Sequence, residues 1–173
     1  MRPALLFLAS IALAAGAGCG AEIGDSCVVS SDCAIDGSRT CDLNSDGGYC
    51  TIRGCDYTTC PGEAVCVSFF LGSFDNQTCN PATEDLPATG GTDDCNPDEL
   101  CALDGHCVNR SSEVRYCMRK CSSSGDCRSG YECRDEKLMI MDGGEPVPAP
   151  GSRITDTTPQ SFCAQAPVPP PST

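Results

Sequence analysis

Cysteine content is the feature that most constrains the fold of this chain. The 173 residues include 17 cysteines, a frequency typical of exported scaffolds held together by disulfide bonds. Aromatic residues make up only 5% and Trp is absent, so a packed core without crosslinks would be small. Zinc sites commonly use C-x-x-C pairs, and this sequence contains none. We therefore expect disulfides, no metal site and no cofactor.

Sixteen of the cysteines form two parallel series of eight. The gaps between neighbours are 5, 7, 8, 4, 4, 5 and 12 residues in the first series and 5, 5, 9, 3, 5, 5 and 29 in the second. A C-x4–5-C-x5–7-C triplet occurs four times, which leaves open that each series consists of two four-cysteine units. The predicted disulfide cysteines are Cys27, Cys33, Cys41, Cys50, Cys55, Cys60, Cys66, Cys79, Cys95, Cys101, Cys107, Cys117, Cys121, Cys127, Cys133 and Cys163.

The spacing predicts two tandem eight-cysteine modules, at residues 27–79 and 95–163. The segment 80–94 between them is rich in Pro, Gly and acidic residues, which is typical of a linker. Residues 164–173 form a Pro-rich tail. The pairing stays open, because eight cysteines in one module allow 105 connectivities.

Segments between the cysteines are mostly too short for helices, whose mean length is about 11 to 12 residues. Asp, Gly, Ser and Asn are frequent there, and these residues favour turns. The sequence therefore predicts a small, irregular, disulfide-rich fold with short β-hairpins. Ala64–Phe70 and Lys137–Met141 are the best strand candidates.

The N-terminal residues 1–18 have the pattern of a signal peptide. Arg2 precedes an apolar stretch of 14 residues, Ala4–Ala17, followed by small residues. A membrane-spanning helix needs about 20 apolar residues. We therefore expect export from the cytosol rather than a transmembrane segment.

The Ala-Gly-Cys sequence at residues 17–19 resembles a bacterial lipobox, although Gly16 stands where that family prefers Leu. The resemblance implies cleavage before Cys19, lipidation of its thiol and a tether over residues 19–26. Gly20 in place of the retention-signal Asp implies the outer membrane or the cell surface. Setting Cys19 aside leaves an even sixteen cysteines. The alternative is a secreted eukaryotic-type regulator in which Cys19 is free or links two chains.

The second cysteine series resembles the N-terminal cysteine-rich domain of Dickkopf proteins and other EB-type modules. The similarity lies in CysAsnProAspGluLeuCysAlaLeuAspGlyHisCys, which begins at Cys95, and in the run from Tyr116 to Cys133. It implies short hairpins in a disulfide knot. The adjacent Cys-Cys pair of that family is missing at Cys133, and its signalling role does not carry over.

Two local motifs suggest chemistry and are better explained by turns. Asp42–Gly48 begins like a calcium loop, with Asp42, Asn44 and Asp46 in place. An EF-hand needs Glu at the twelfth loop position, and Arg53 stands there. A hairpin turn is the favoured interpretation, and weak calcium binding is the alternative.

His106 is the only histidine of the chain. Catalysis by a Cys–His pair needs a free thiolate, which oxidised or acylated cysteines do not supply. No Gly-x-Ser-x-Gly elbow occurs. We therefore predict no catalytic residues and no enzymatic activity.

A net charge of −13 excludes the basic surface that nucleic-acid binding requires. We expect a lipid-anchored protein of the cell envelope with a non-catalytic binding or structural role and a protein or glycan ligand. The apolar stretch Val67–Phe74 supplies either core or an exposed patch. The long segment Arg134–Phe162 is a candidate recognition loop. In the alternative function, a protease-inhibitor-like scaffold presents that loop.

Overall fold

The computed structural model describes residues 20–71, 77–84 and 94–167. The predicted signal peptide (1–18) and the predicted lipidation site Cys19 lie outside these residues. The described chain consists of short antiparallel strands, short helical segments and eight disulfides. This confirms the predicted small, irregular, disulfide-rich fold class.

The strands are β1 (Thr40–Asp42), β2 (Tyr49–Thr51), β3 (Ala64–Phe70), β4 (Glu99–Cys101), β5 (Cys107–Asn109), β6 (Glu113–Arg119), β7 (Tyr131–Arg134), β8 (Glu145–Pro146) and β9 (Phe162–Gln165). The α-helices are α1 (Ser30–Cys33) and α2 (Glu136–Asp142). Turns of 3-10 helix cover Arg110–Ser112, Ser124–Asp126 and Ile154–Asp156.

All sixteen cysteines of the two series are paired, and the pairs form four units of one pattern. In each unit the first cysteine along the chain bonds the third, and the second bonds the fourth. The bonds are Cys27–Cys41 and Cys33–Cys50 in unit 1, Cys55–Cys66 and Cys60–Cys117 in unit 2, Cys79–Cys101 and Cys95–Cys107 in unit 3, and Cys121–Cys133 and Cys127–Cys163 in unit 4.

Each unit is built on one antiparallel strand pair. Its third and fourth cysteines lie directly opposite each other, at Cys41 and Cys50, Cys66 and Cys117, Cys101 and Cys107, and Cys133 and Cys163. Both side chains of such a pair point to the same face of the pleat. Each can therefore bond a cysteine of the preceding segment, and the two bonds fasten that segment across the hairpin.

The disulfides correct the predicted division into two tandem modules. Cys60–Cys117 and Cys79–Cys101 both join the predicted module 27–79 to the predicted module 95–163. Unit 3 is inserted between the third and fourth cysteines of unit 2, so the units are nested rather than consecutive. Cysteine spacing does not distinguish nested from consecutive units, because the gaps between neighbouring cysteines are similarly short in both arrangements.

The central sheet has three strands in the order β6-β3-β8. Strand β3 coincides with the predicted strand Ala64–Phe70 and pairs with β6 over its full length. The chain leaving β2 continues along the outer edge of β6, where Cys117 N donates to Ile52 O at 3.0 Å and Gly54 N donates to Arg115 O at 2.9 Å. Unit 1 is thereby joined to the sheet of unit 2.

The main core lies where units 1, 2 and 4 meet. Its fully buried side chains include Ile23, Tyr49, Val67, Met139 and Phe162, each at most 2% exposed. Residues 19–26 were predicted to form a tether, but part of this segment packs against the folded chain. Ile23 is buried in the core, and Gly24 N donates to Cys50 O at 2.9 Å.

Lys137–Met141, a predicted strand, lies within helix α2. The Asp135 carboxylate accepts from Leu138 N at 3.0 Å and caps the first turn. Lys, Leu and Met are good helix formers, and Met139 fills the core on the buried side. The interval of 29 residues before Cys163 gives this helix room that the other intervals lack.

The predicted tail 164–173 begins inside a strand. Ala164 is 3% exposed and pairs with Glu132, and Gln165 pairs with Tyr131 in the β7–β9 ladder. Residues 168–173 lie outside the described part. Among the described residues, none of the helices has the length and apolar character needed to cross a bilayer.

Candidate functional site

His106 lies in the turn between β4 and β5. Its side chain is 47% exposed, and its Nδ1 lies 3.5 Å from an Asp104 carboxylate oxygen. Its backbone N donates to the same Asp104 oxygen at 3.1 Å. These contacts are those of a residue that closes a surface turn.

The calcium-loop motif forms the turn between β1 and β2. The Asp42 carboxylate accepts from Asn44 N at 3.2 Å and from Ser45 Oγ at 3.0 Å. Asp46 N donates to Gln165 Oε1 at 3.1 Å. The Asp42 carboxylate therefore stabilises the turn, and the backbone N of Asp46 joins the turn to β9. In the described ranges, the close clusters of ligand-type side chains consist of cysteines already engaged in disulfides.

The predicted recognition loop Arg134–Phe162 is folded against the body. Arg134 is 6% exposed, and its guanidinium donates to the carbonyls of Asp142 and Gly143 at 2.9 and 2.8 Å. Strand β8 pairs with β3.

The two faces of the central sheet differ in chemistry because side chains alternate along its strands. On β6, Val114, Tyr116 and Met118 alternate with Glu113 and Arg115. On β3, the predicted apolar stretch divides in the same way. Val67 is buried in the core, Phe69 and Leu71 line a groove on one face, and Ser68 and Phe70 line a cavity on the other. Phe74 lies outside the described residues.

The apolar face carries an open groove of about 310 Å³. Its floor continues the protein core to the surface, and its rim is polar, an arrangement typical of binding sites. The floor is formed by Phe69, Val114, Tyr116 and Met118, and the walls by the β1–β2 hairpin at Asp42, Asn44, Ser45, Tyr49 and Thr51 and by Leu71, Arg134, Ala164 and Gln165.

Buried polar contacts fix the walls of the groove. Tyr49 Oη accepts from Arg119 N at 3.0 Å and donates to Cys163 O at 3.3 Å. Burial raises the pKa of Tyr49 to about 12, so its hydroxyl stays protonated at neutral pH. The ring of Tyr49 stacks on Tyr131 with centroids 5.5 Å apart. Tyr49 thus fastens unit 1 directly to unit 4 at the wall of the groove.

The opposite face carries a charged cavity of about 440 Å³ beneath unit 3. Arg115 Nε lies 2.8 Å from a Glu113 carboxylate oxygen, which also accepts from Ser68 Oγ at 2.6 Å. Two further carboxylates, Glu84 and Glu145, line the same cavity. Sequence reasoning missed this site. Glu84 falls in the predicted linker and Glu145 in the long loop. The charge alternation at Glu113 and Arg115 is the sequence signal that could have indicated the site.

Comparison of the chain with protein-family models, with curated proteins and with solved structures finds no significant match in any of the three.

Proposed function

We propose that this chain is an exported, lipid-anchored protein of the cell envelope that acts by binding a protein partner in the apolar groove, without catalysis. The groove carries this proposal. An apolar floor with aromatic side chains, a polar rim and a framework of disulfides offer a preorganised surface, and preorganisation reduces the entropy lost on binding.

The partner that fits the groove is a short extended segment with an apolar or aromatic side chain. Aromatic anchors in desolvated pockets contribute much of the affinity of many interfaces. The groove contains Phe69 and Tyr116, whose rings meet edge-on with centroids 6.3 Å apart. A further ring placed edge-on or offset against this pair is a favourable geometry.

The groove is tested by selecting displayed random peptides on the mature, oxidised protein and re-measuring the selected peptides on two variants. Leu71→Asp places a charge at the rim, where the wild-type side chain is 63% exposed. Ile35→Asp is the matched control, because Ile35 is 98% exposed and lines no part of the groove. We expect Leu71→Asp to weaken binding about tenfold or more and the control to leave it unchanged. Peptides that bind both variants equally would contradict the groove as the binding site.

Lipid anchoring rests on the N-terminal sequence and has its own test. The native protein is digested, and the N-terminal peptide is weighed by mass spectrometry together with a count of free thiols. We expect an acylated Cys19 and no free thiol, and we expect Cys19→Ser to release the protein from the membrane fraction. An unmodified Cys19, free or linking two chains, would support the secreted-regulator alternative. This outcome is independent of the groove test.

A further inference from the structure

The charged cavity lies on the face of the sheet opposite to the groove and holds carboxylates without cationic partners. It is enclosed by β3 and β6, by unit 3 and by residues 145–154. Its charged lining residues are Glu84, Glu113, Glu145, Arg110, Arg115 and Arg153. Among the ion pairs of the described residues, Arg115 contacts Glu113 and Asp56, and Arg153 contacts Asp156, at distances from 2.8 to 3.5 Å. Arg110 is also engaged in an interaction.

Glu84 is the most enclosed of the carboxylates, with 5% of its surface exposed. Its Oε1 accepts from Cys95 N at 2.7 Å, whereas its buried Oε2 has no hydrogen-bond partner. A buried carboxylate oxygen without a donor is costly. The described residues therefore leave one buried oxygen of a cavity-lining residue unsatisfied.

Glu145 is a second carboxylate residue of the cavity lining, and it is partly buried. Its Oε2 accepts from Leu103 N at 2.7 Å, and no Arg or Lys of the described chain forms an ion pair with it. Burial, and to a smaller extent the charges of Asp104 and Glu113, raise the pKa of Glu145 to about 7. A bound cation would offset both the burial of the Glu145 carboxylate and its repulsion by Asp104 and Glu113.

We propose that this cavity binds a primary alkylammonium group, such as the end of a lysine side chain from a protein partner. The ammonium donates to Glu84 Oε2 and compensates the charge of Glu145. The methylene chain lies against the apolar walls formed by Phe70, Leu100 and Ile154, as lysine stems do on apolar surfaces.

Calcium fits the cavity less well than an ammonium group does. Calcium takes 6–8 oxygen ligands. In the described part of the chain, no three carboxylates of this cavity bring their oxygens within 4.8 Å of one another. An ammonium needs few acceptors, and charge-assisted hydrogen bonds to a carboxylate are strong individually.

The probe for this site is pentylammonium chloride, titrated into the mature oxidised protein and followed by NMR chemical shifts. Pentanol is the matched neutral ligand with the same carbon chain. We expect saturable shifts at Phe70, Leu100 and Ile154 with pentylammonium only. Equal binding of pentanol, or no saturable shift with pentylammonium, would overturn the proposal. Calcium chloride producing the same shifts would overturn it in favour of a divalent-cation site.

Two isosteric variants and a control keep the test independent of folding. Glu84→Gln and Glu145→Gln each retain an oxygen that accepts the backbone N–H bond, so a dispersed spectrum is expected of both. Each should weaken pentylammonium binding about tenfold or more. Glu136→Gln, at an exposed position of α2, should leave the binding unchanged. Wild-type affinity in both cavity variants would overturn the proposal, whatever the outcome for the groove.

Discussion

The two faces of the central sheet share strands β3 and β6 but differ in chemistry, since one is apolar and the other is ionic. The groove face presents Phe69, Tyr116 and Met118 over the main core and has no charge on its floor. The cavity face presents Glu113 and Arg115, with Glu84 and Glu145 nearby. Alternation along two strands therefore gives one small sheet an apolar surface and an ionic one. In a chain with few aromatic residues, this places Phe69 and Tyr116 together on the apolar surface.

The disulfides of unit 2 lie on the ionic face, since Cys66 and Cys117 have the strand parity of Ser68 and Arg115. On that face the disulfides Cys55–Cys66 and Cys60–Cys117 attach to the two strands. On the groove face, the rings of Phe69 and Phe162 meet edge-on with centroids 6.2 Å apart. The comparison suggests that covalent bonds stabilise one face and packing stabilises the other.

Removing the crosslink on the ionic face should have the largest effect. The double substitution Cys60→Ala with Cys117→Ala opens a bond with a sequence separation of 57 residues, and we expect a loss of about 4 kcal/mol because long loops gain most entropy when opened. The matched control is the pair Cys95→Ala with Cys107→Ala, whose separation is 12, with an expected loss of about 3 kcal/mol. Guanidinium unfolding measures both. A larger loss in the control would contradict the assignment.

Glu145 should make the stability of the ionic face depend on pH. Its pKa is raised from 4.5 to about 7 in the folded state, so between these values the folded state binds more protons than the unfolded state. The free energy of unfolding therefore falls as the pH rises through this window, by about 3 kcal/mol at about 1.4 kcal/mol per pKa unit.

Unfolding curves of the wild type and Glu145→Gln from pH 4 to 8 measure this effect. We expect the variant to lose most of this pH-dependent fall and to be the more stable protein at pH 8. Glu136→Gln, exposed on α2, should follow the wild-type curve. Parallel curves for the wild type and Glu145→Gln would show that Glu145 is well solvated and that the ionic cavity does not carry the cost inferred here.

Part of this fold is readable from local sequence. Ala64–Phe70 is rich in β-branched and aromatic residues, and it forms β3 as predicted. An AspCys pair occurs at Asp32–Cys33 and again at Asp126–Cys127. This repeat has a structural basis, because each Asp carboxylate accepts from the backbone N–H groups three and four residues before it, at 2.8 to 3.0 Å. These hydrogen bonds lower the pKa of both carboxyls. Such features depend on neighbours within a few residues.

The remainder depends on contacts between distant segments. The partner of Cys60 lies beyond the whole of unit 3, at Cys117, and no gap length shows that a unit has been inserted. Glu84 looks like a linker residue in the sequence, and its burial depends on how the segment between Cys79 and Cys95 folds within unit 3. The conformation of Lys137–Met141 also depends on distant contacts, because the helix buries Met139 in the core. Local spacing left a four-cysteine unit open as a possibility, and it gave no indication of the order in which the units nest.

On the groove face, Tyr49 should contribute to the free energy of unfolding through hydrogen bonds of its neutral hydroxyl. Tyr49→Phe removes the acceptor for Arg119 N and the donor to Cys163 O. We expect a loss of about 1–2 kcal/mol, because a buried N–H is left unsatisfied. The loss should be the same at pH 5 and pH 8, in contrast to the effect of Glu145→Gln. Thermal unfolding measures it, with Tyr57→Phe at a half-exposed position as the control. A pH-dependent loss would link this wall to the ionic face.

The smallest effect is expected at the polar rim of the groove, in the turn between β1 and β2. Asp42→Ala removes the acceptor for Asn44 N, Asn44 Nδ2 and Ser45 Oγ, at 3.0 to 3.2 Å. These contacts are largely exposed, so we expect a loss of about 0.5–1 kcal/mol. Unfolding is measured with calcium and with chelator. If the Asp42 carboxylate serves the turn, the loss is equal in both conditions. If calcium stabilises the wild type and not the variant, the loop is a calcium site. The conformation of the groove rim would then depend on a bound ion rather than on the hydrogen bonds of the turn.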